Sequence, residues 1–365
     1  MKKLVYLTNI QTPAKGAQSI QVMSMVKAFF KALGDDFLLI SPENKLNKNL
    51  PTDFSWIKLK VGNFLPRNLR YLLITFRALR IILKEKPEFI YTRDIGVAFF
   101  YKLLGFRTCY EIHKPFETKL GKLFFKIISP KIKIVAISNA LKKYITEKYN
   151  LEEKNILVAH DGVFLEDFLK IKLTKEEIRR RYLNLGTKNF IILYSGSLQV
   201  GKGVDLILKA SSALKDILFI IIGGTGGKIT KFKKDTPNNV LFVPRKPHQE
   251  IPYYLMASDL LTLPPTKELS YHKYTSPLKL FEYMASRVPI LASNIGSITE
   301  ILNEKNSFLF NPEDLNDLID KINFARENGE ERKKRADNAF QDVKNYTWQK
   351  RVSKILDFLN LSENG

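Results

Sequence analysis

Short apolar, β-branched runs alternate with amphipathic stretches along the whole chain, and this alternation restricts the fold more than any other feature. In the first half, KLVYLT (3–8), DFLLIS (36–41), FIYTRD (89–94), TCYEIH (108–113) and IKIVAIS (132–138) read as strands. Between them, SIQVMSMVKAFFKAL (19–33) carries helical spacing at Val22, Val26, Phe29, Phe30 and Leu33. The second half repeats the theme with strand-like NFIILYSGSL (189–198), ILFIIIGG (217–224), NVLFVP (239–244), DLLTLPP (259–265) and PILAS (289–293). Helical patterns follow at 203–214, 276–286 and 315–329. Strand–helix alternation predicts parallel sheets covered by helices on both faces. At 365 residues the chain exceeds one ordinary core and divides into two α/β domains. The segment VAHDGVFLEDF (158–168), with its Asp-Gly turn signal, is the expected linker, and LTKEEIRRRYLN is expected to open the second domain as a polar-faced helix. In open α/β sheets ligands bind beyond the C-terminal ends of the strands, so the two domains are expected to face a shared cleft there.

Composition excludes several classes. A single cysteine, Cys109, rules out an internal disulfide or a cysteine-built metal site and fits a reducing compartment. The opening MKKLVYLTNIQTP has an apolar run too short for a secretory leader. No segment approaches the ~18 uninterrupted apolar residues of a membrane span, so a cytoplasmic protein is expected. The net charge of +22, from 59 basic and 37 acidic residues, attracts polyanions: nucleic acid, anionic lipid or phosphorylated substrates.

YTSPLKLFEYMAS (274–286) concentrates the chemistry. Ser276 is a suitable helix cap and Pro277 a suitable first helical residue. The free N–H groups of the first turn, with Lys279 beside them, form an anion site, and Glu282 stands one turn on to accept hydroxyl hydrogen bonds. A phosphate joined to a sugar matches that pattern; a surface Lys279–Glu282 ion pair is the plain alternative. YSGSLQVGKGVDLIL (194–208) runs from a strand through a turn with Gly196, Gly201 and Gly203 into a helix, with Lys202 placed to neutralise a phosphate. It lacks the spacing of a P-loop. IIIGGTGGK (220–228) and TPAKGAQSIQV (12–22), with Gly16 and Ala17, are further strand-to-helix turns.

Taken in order, these phrases resemble the family 4 retaining glycosyltransferases of glycosyltransferase group 1, whose GT-B fold has two Rossmann-like domains facing a central cleft. The resemblance spans nearly the whole chain. It runs through KGAQSIQVMSMVKAF, IYTRD, YEIHKPFE, IVAISNALKKYI, VAHDGVFLEDF, YSGSLQVGKGVDLILKA, FIIIGG, EIPYYLMASDLLTLPP, YTSPLKLFEYMASRVPILASNIGSITEIL and YTWQKRVSKILDFL. It implies an acceptor-binding domain over residues 1–163, a nucleotide-sugar-binding domain over 164–345, and a C-terminal helix over 346–365 that packs back toward the first domain. Lys202 then looks like the lysine that holds the donor diphosphate. Glu282 looks like the second glutamate of the family's Glu-x7-Glu motif, on the ribose. Tyr274 stands where the first glutamate would be, and Ser197 where the family often has arginine. Ser276, Pro277, Leu278 and Lys279 are implied to contact the diphosphate or donor sugar, with Lys279 compensating for the missing arginine. Gly16, Ala17 and Gly196 are implied at the same groups, Arg245 and Lys246 at the nucleoside, His113 near the donor sugar and acceptor, and Arg93 at the acceptor. His113, Lys202 and Glu282 form the implied catalytic set.

The implied reaction moves a sugar from a UDP- or GDP-linked donor to a hydroxyl of a glycan or lipid-linked acceptor, with retention of configuration. The nucleotide sugar is a co-substrate, and no cofactor or metal is expected. By residue pattern alone His113 is equally a strand-end histidine under a loop, Arg93–Asp94 a local pair, and His160 and Asp161 structural parts of the turn. Basic amphipathic stretches at 66–86 and 119–133 suit an anionic membrane surface, although a helix half in core and half in solvent has the same pattern. A nucleic-acid-binding protein is suggested only by charge, without a recognisable readout pattern. A dinucleotide-dependent oxidoreductase is disfavoured because TNIQTPAKGAQ replaces a G-x-G-x-x-G turn. A sugar-nucleotide epimerase of the same fold would need cleft carboxylates, and none is identified.

Overall fold

The computed structural model describes residues 2–14, 16–48, 52–61, 66–186, 189–224, 227, 229, 232, 236–267 and 270–362. Two compact units divide it: one comprises Met1–Asp161 with Trp348–Gly365, the other Gly162–Thr347.

The first unit holds a seven-stranded parallel sheet. Its strands are β1 (Leu4–Leu7), β2 (Phe37–Pro42), β3 (Trp56–Leu59), β4 (Phe89–Thr92), β5 (Thr108–Ile112), β6 (Lys133–Ala136) and β7 (Ile156–Val158), in the order β3-β2-β1-β4-β5-β6-β7. All four residues of LVYL in β1 are buried, as a strand covered on both faces requires. On one face Val5, Leu7, Leu38 and Ile40 pack with Ile74, Ala78 and Ile82 of the helix Arg67–Glu85. The last helix, Trp348–Leu359, packs within this unit on the helix Ala17–Leu33 and buries Trp348, Arg351, Val352, Ile355, Leu356 and Leu359.

The second unit has a six-stranded parallel sheet. Its strands are β8 (Phe190–Ser195), β9 (Ile217–Ile222), β10 (Val240–Val243), β11 (Leu260–Leu263), β12 (Ile290–Ser293) and β13 (Phe308–Phe310), in the order β10-β9-β8-β11-β12-β13. The two-residue period of a strand sends Ile191 and Leu193 to one face, against Phe281 and Met284 of the helix Leu278–Ala285. It sends Ile192 and Tyr194 to the other face, against Val204 and Ile207 of the helix Val204–Ala213. Both sheets are thus Rossmann-like, with the connection order reversing beside β1 and beside β8.

The segment 158–168 contains the division between the two units, at Asp161 and Gly162, with β7 ending inside it at Val158 and the helix Glu166–Leu169 beginning inside it. One expectation beside it needs correction. The expected helix after it is one α-turn, Lys175–Ile178, closed by a capping box between Thr174 and Glu177, and then a π-helix over Arg179–Leu183. The chain widens there where the Arg179 guanidinium turns inward to the Ala257 carbonyl (2.8 Å) and to Asp259 (2.6 Å). Of the 220–228 turn, Thr225, Gly226 and Lys228 lie outside the described residues.

Candidate active site

In the second unit the strand order reverses between β8 and β11, and a crevice beyond their C-terminal ends is where an open sheet of this kind takes a ligand. The turn after β8 seats on the segment after β11. Gly203 adopts φ +74°, and any side chain there would collide with the Pro264 carbonyl, so the position admits only glycine. Thr266 N–H donates to the Gly201 carbonyl at 3.1 Å. His272, buried, donates from Nδ1 to the Thr266 carbonyl (2.9 Å), which leaves the Nε2 lone pair facing Lys202 Nζ at 3.3 Å. Burial lowers the pKa of Lys202, and burial together with the Lys202 charge lowers that of His272, so the ring that holds this lysine is neutral.

The helix that follows corrects the reading of its cap. It opens at Leu278, with Pro277 in the capping position at φ −72° and ψ 122° and no side-chain cap. Ser276 lies one residue outside, because the extended Pro277 is not the first helical residue but the one before it. Tyr283 Oη accepts the Ser195 N–H at 2.9 Å and fixes the helix to the end of β8. Leu278 and Lys279 are half-buried in its first turn.

Lys279 and Glu282 do not form the surface ion pair that their spacing permits. The Lys279 ammonium lies 3.9 Å over the Tyr194 ring, a cation–π contact at the end of β8. Gly196 leaves room for it: a Cβ there would stand 2.6 Å from Lys279 Nζ. Burial and, after it, the Lys202 charge lower the Lys279 pKa, Glu282 opposes both, and the net value is about 7. Glu282 instead bonds His248 Nε2 at 2.6 Å. Burial alone would lower the His248 pKa, but the Glu282 carboxylate outweighs it and the pKa is raised. Arg245, exposed, and Lys246, whose ammonium lies 5.6 Å over Tyr254, sit in the same segment as His248, just beyond β10. The two lysines and the carboxylate therefore flank one strand-end region as separate groups.

In the first unit the end of β5 carries a buried network. Glu111, fully buried, accepts from Arg351 Nη1 and Nη2 (both 3.1 Å), from Gln21 Nε2 (2.7 Å) and from Tyr91 Oη, and contacts His113 Nε2. Burial works against this carboxylate, but the Arg351 guanidinium overcomes it and holds the pKa well below the usual range. The His113 pKa is lowered as well, to about 4, by burial and the Arg93 guanidinium, which leaves the imidazole neutral near pH 7. With Nε2–H donating to Glu111, Nδ1 is the acceptor nitrogen. Arg93 donates to Gln21 Oε1 at 2.6 Å and so belongs to this network rather than to a pair with Asp94, which caps the Asn9 N–H (2.9 Å). Asp161 is buried and its pKa is raised to about 6 by that burial. Gly16 precedes the helix that starts at Ala17, its φ of −167° ordinary extended backbone, with open space where a Cβ would be.

His272, His248, Glu111, Gln21 and Arg351 escaped the sequence reading. Only Glu111 carried a signal: a carboxylate in the otherwise apolar and polar-neutral run TCYEI, where burial demands a cation.

Residues 175–342 match the family described as Glycosyl transferases group 1. The matched segment makes up somewhat under half of the chain. Lys202, Lys279, Glu282, His248 and His272 all lie within it. The chain is 25% identical over 201 residues to the putative teichuronic acid biosynthesis glycosyltransferase TuaC of Bacillus subtilis (strain 168), covering 55% of this chain and 48% of that protein. It is 21% identical over 260 residues to a D-inositol 3-phosphate glycosyltransferase of Salinispora tropica, covering 64% and 51%. The chain thus spans about half the length of the curated relatives it matches. Among solved structures, a glycosyltransferase from Rickettsia africae ESF-5 aligns with a TM-score of 0.80 at 20% identity over 100% of both chains. Anabaena Alr3699/HepE in complex with UDP aligns with a TM-score of 0.79 at 16% identity, covering 99% of this chain and 100% of that one. These likenesses are of fold: the chain has the GT-B class of fold, two Rossmann-like α/β units joined in one polypeptide.

Proposed function

We propose that the protein is a retaining hexosyltransferase that moves a sugar from a UDP- or GDP-linked donor to a hydroxyl of a glycan or lipid-linked acceptor. The observation that carries this reading is the pair of lysines, Lys202 and Lys279, flanking the end of β8 with Glu282 beside them, inside the segment that matches glycosyl transferases group 1. The lysines take the donor diphosphate, with the first turn of the helix Leu278–Ala285 adding its free N–H groups. Glu282, aligned by His248, accepts the ribose hydroxyls, and Arg245 and Lys246 flank the base. Gly196, Ser276 and Pro277 line the diphosphate and sugar.

In the transfer, the bond from C1 to the leaving phosphate oxygen breaks while the acceptor oxygen bonds C1 on the same face. The acceptor proton passes to the leaving diphosphate. Negative charge grows on the leaving group, and preorganised cations lower the barrier by favouring that charge. The lysines supply it in the role a divalent metal could otherwise fill. The first unit takes the acceptor, with Arg93 and the neutral His113 at its strand ends, while Gly16 and Ala17 face the donor diphosphate or sugar. HepE's UDP complex supports the choice of donor class. A surface-polysaccharide or glycolipid acceptor is supported by TuaC and by WaaG, a glycosyltransferase involved in lipopolysaccharide biosynthesis. A membrane-bound acceptor also calls for a docking face. The helix Lys119–Ile128 exposes Leu120, Leu123 and Ile127 between Lys119, Lys122 and Lys126.

The test is release of nucleoside diphosphate from a set of UDP- and GDP-sugars, with and without a lipid extract as acceptor. Wild type releases it from one donor, and Lys279→Gln and Glu282→Ala each lose about a hundredfold in kcat/KM, in the range reported for a removed charge-stabilising donor. No release from any donor, or equal rates in the variants, contradicts the reading.

A further inference from the structure

The helix Arg67–Glu85 carries two features that the proposed donor site does not use. Leu69, Phe76 and Leu83 recur every seven residues on its outer face, all exposed, and Leu72 lies on the same stripe. One position on, Arg70, Arg77 and Lys84 form a basic stripe alongside. Arg77 also walls a cavity of about 470 Å³ beside the C-terminal ends of β2 and β3, together with Lys45, Lys48 and Lys60. Glu43 is the one carboxylate among its described lining residues.

These cations are placed by bonded backbone. Asn47, fully buried, donates to the carbonyls of Thr12 (2.7 Å) and Pro42 (2.9 Å) and accepts the Asn44 N–H (2.8 Å), which fixes the turn that presents Lys45 and Lys48. The Arg77 guanidinium donates to the Lys60 carbonyl and so brings their two charges to one wall. Four cations against the single Glu43 carboxylate leave the concavity with an excess of positive charge, and ammonium and guanidinium donors suit the oxygens of a phosphate. The cavity opens at the same edge of the sheet as His113, the edge at which strands end.

We propose that this cavity binds a phosphate or diphosphate group of the acceptor, and that the exposed stripe beside it takes an apolar tail attached to that group. The inference rests on the sugar-transfer reading, whose first unit takes the acceptor, but its test is separable. Lys60→Ala/Arg77→Ala changes two exposed side chains and leaves the donor-site residues untouched. Wild type and variant are titrated with UDP, then with pyrophosphate in the presence of saturating UDP. Both are also co-sedimented with phosphatidylcholine vesicles with and without phosphatidic acid. The variant is expected to bind UDP as wild type does and to lose about tenfold or more in affinity for the phosphate probe, the loss expected for two charge-assisted contacts. Loss of binding to phosphatidic acid vesicles, alone or together with pyrophosphate, supports the site with its apolar tail. Loss confined to pyrophosphate keeps the phosphate site and overturns the tail. Unchanged binding of both probes by the variant overturns the site. Absence of UDP binding with a variant-sensitive phosphate probe removes the donor reading and leaves the cavity standing.

Discussion

Lys279 is the residue whose chemistry makes the sharpest demand. Its ammonium is held over Tyr194 with a pKa near 7, against an ordinary 10.5. A folded pKa below the unfolded one means that folding disfavours the charged form. The unliganded fold therefore gains stability as pH rises from about 7 toward 10.5 and carries the full penalty below about 7. A diphosphate beside Lys279 favours the ammonium and raises its pKa in the complex. Nucleotide binding then takes up one proton above pH ~7, and affinity falls with rising pH there, by at most about tenfold per unit. Calorimetric titration of nucleotide in buffers of different ionisation enthalpy measures the uptake. It is expected to be near zero at about pH 6 and to approach one at about pH 8.5, and Lys279→Gln is expected to abolish it. At this scale Lys202, Lys279 and Glu282 were legible, because lysine in a glycine turn and a Lys-x-x-Glu helix start leave a short-range pattern. Their partners were not. His272 lies 70 residues from Lys202, and His248 lies 34 residues before Glu282, on a segment that only the fold brings near.

At the scale of elements, continuous apolar runs identified the central strands of both sheets, whose burial on two faces leaves little other choice. The strands β3, β7 and β13 were missed. They are edge strands of three or four residues, too short for a period to show. The start of the helix Leu278–Ala285 slipped by one residue, since a proline satisfies the capping position as readily as the first turn. The two amphipathic helices of the first unit were legible as patterns, whereas which of their apolar residues face solvent depends on packing. Leu72, Phe76, Leu83, Leu120 and Leu123, each more than half exposed, are left over. Co-sedimentation with phosphatidylglycerol vesicles is the direct check. Leu120→Ser/Leu123→Ser is expected to reduce bound protein by about tenfold at moderate salt, as loss of two inserted leucines predicts, without lowering the melting temperature.

Across the whole molecule, two sheets with the same central order each present the proposed site residues at the C-terminal edge of their strands. That repetition was visible in the chain as two similar halves. Arg351 was not, because its partner Glu111 lies 240 residues away. It binds the last helix into the first unit through a buried ion pair, in which Nη1 and Nη2 both donate to Glu111 Oε2, and through the His160 carbonyl (2.9 Å). Arg351→Met leaves Glu111 buried without its guanidinium and is expected to cost about 3–5 kcal/mol of stability, read by urea unfolding. The account as a whole stands on the nucleotide. Thermal unfolding of wild type and Glu282→Ala with UDP, GDP, ADP and CMP tests it most directly. One nucleoside diphosphate is expected to raise the melting temperature of wild type and to raise that of Glu282→Ala far less, since ligand binding to the folded state adds stability in proportion to its affinity. No rise with any of the four, or an equal rise in the variant, would contradict the assignment of Lys202, Lys279 and Glu282 to a nucleotide-sugar donor.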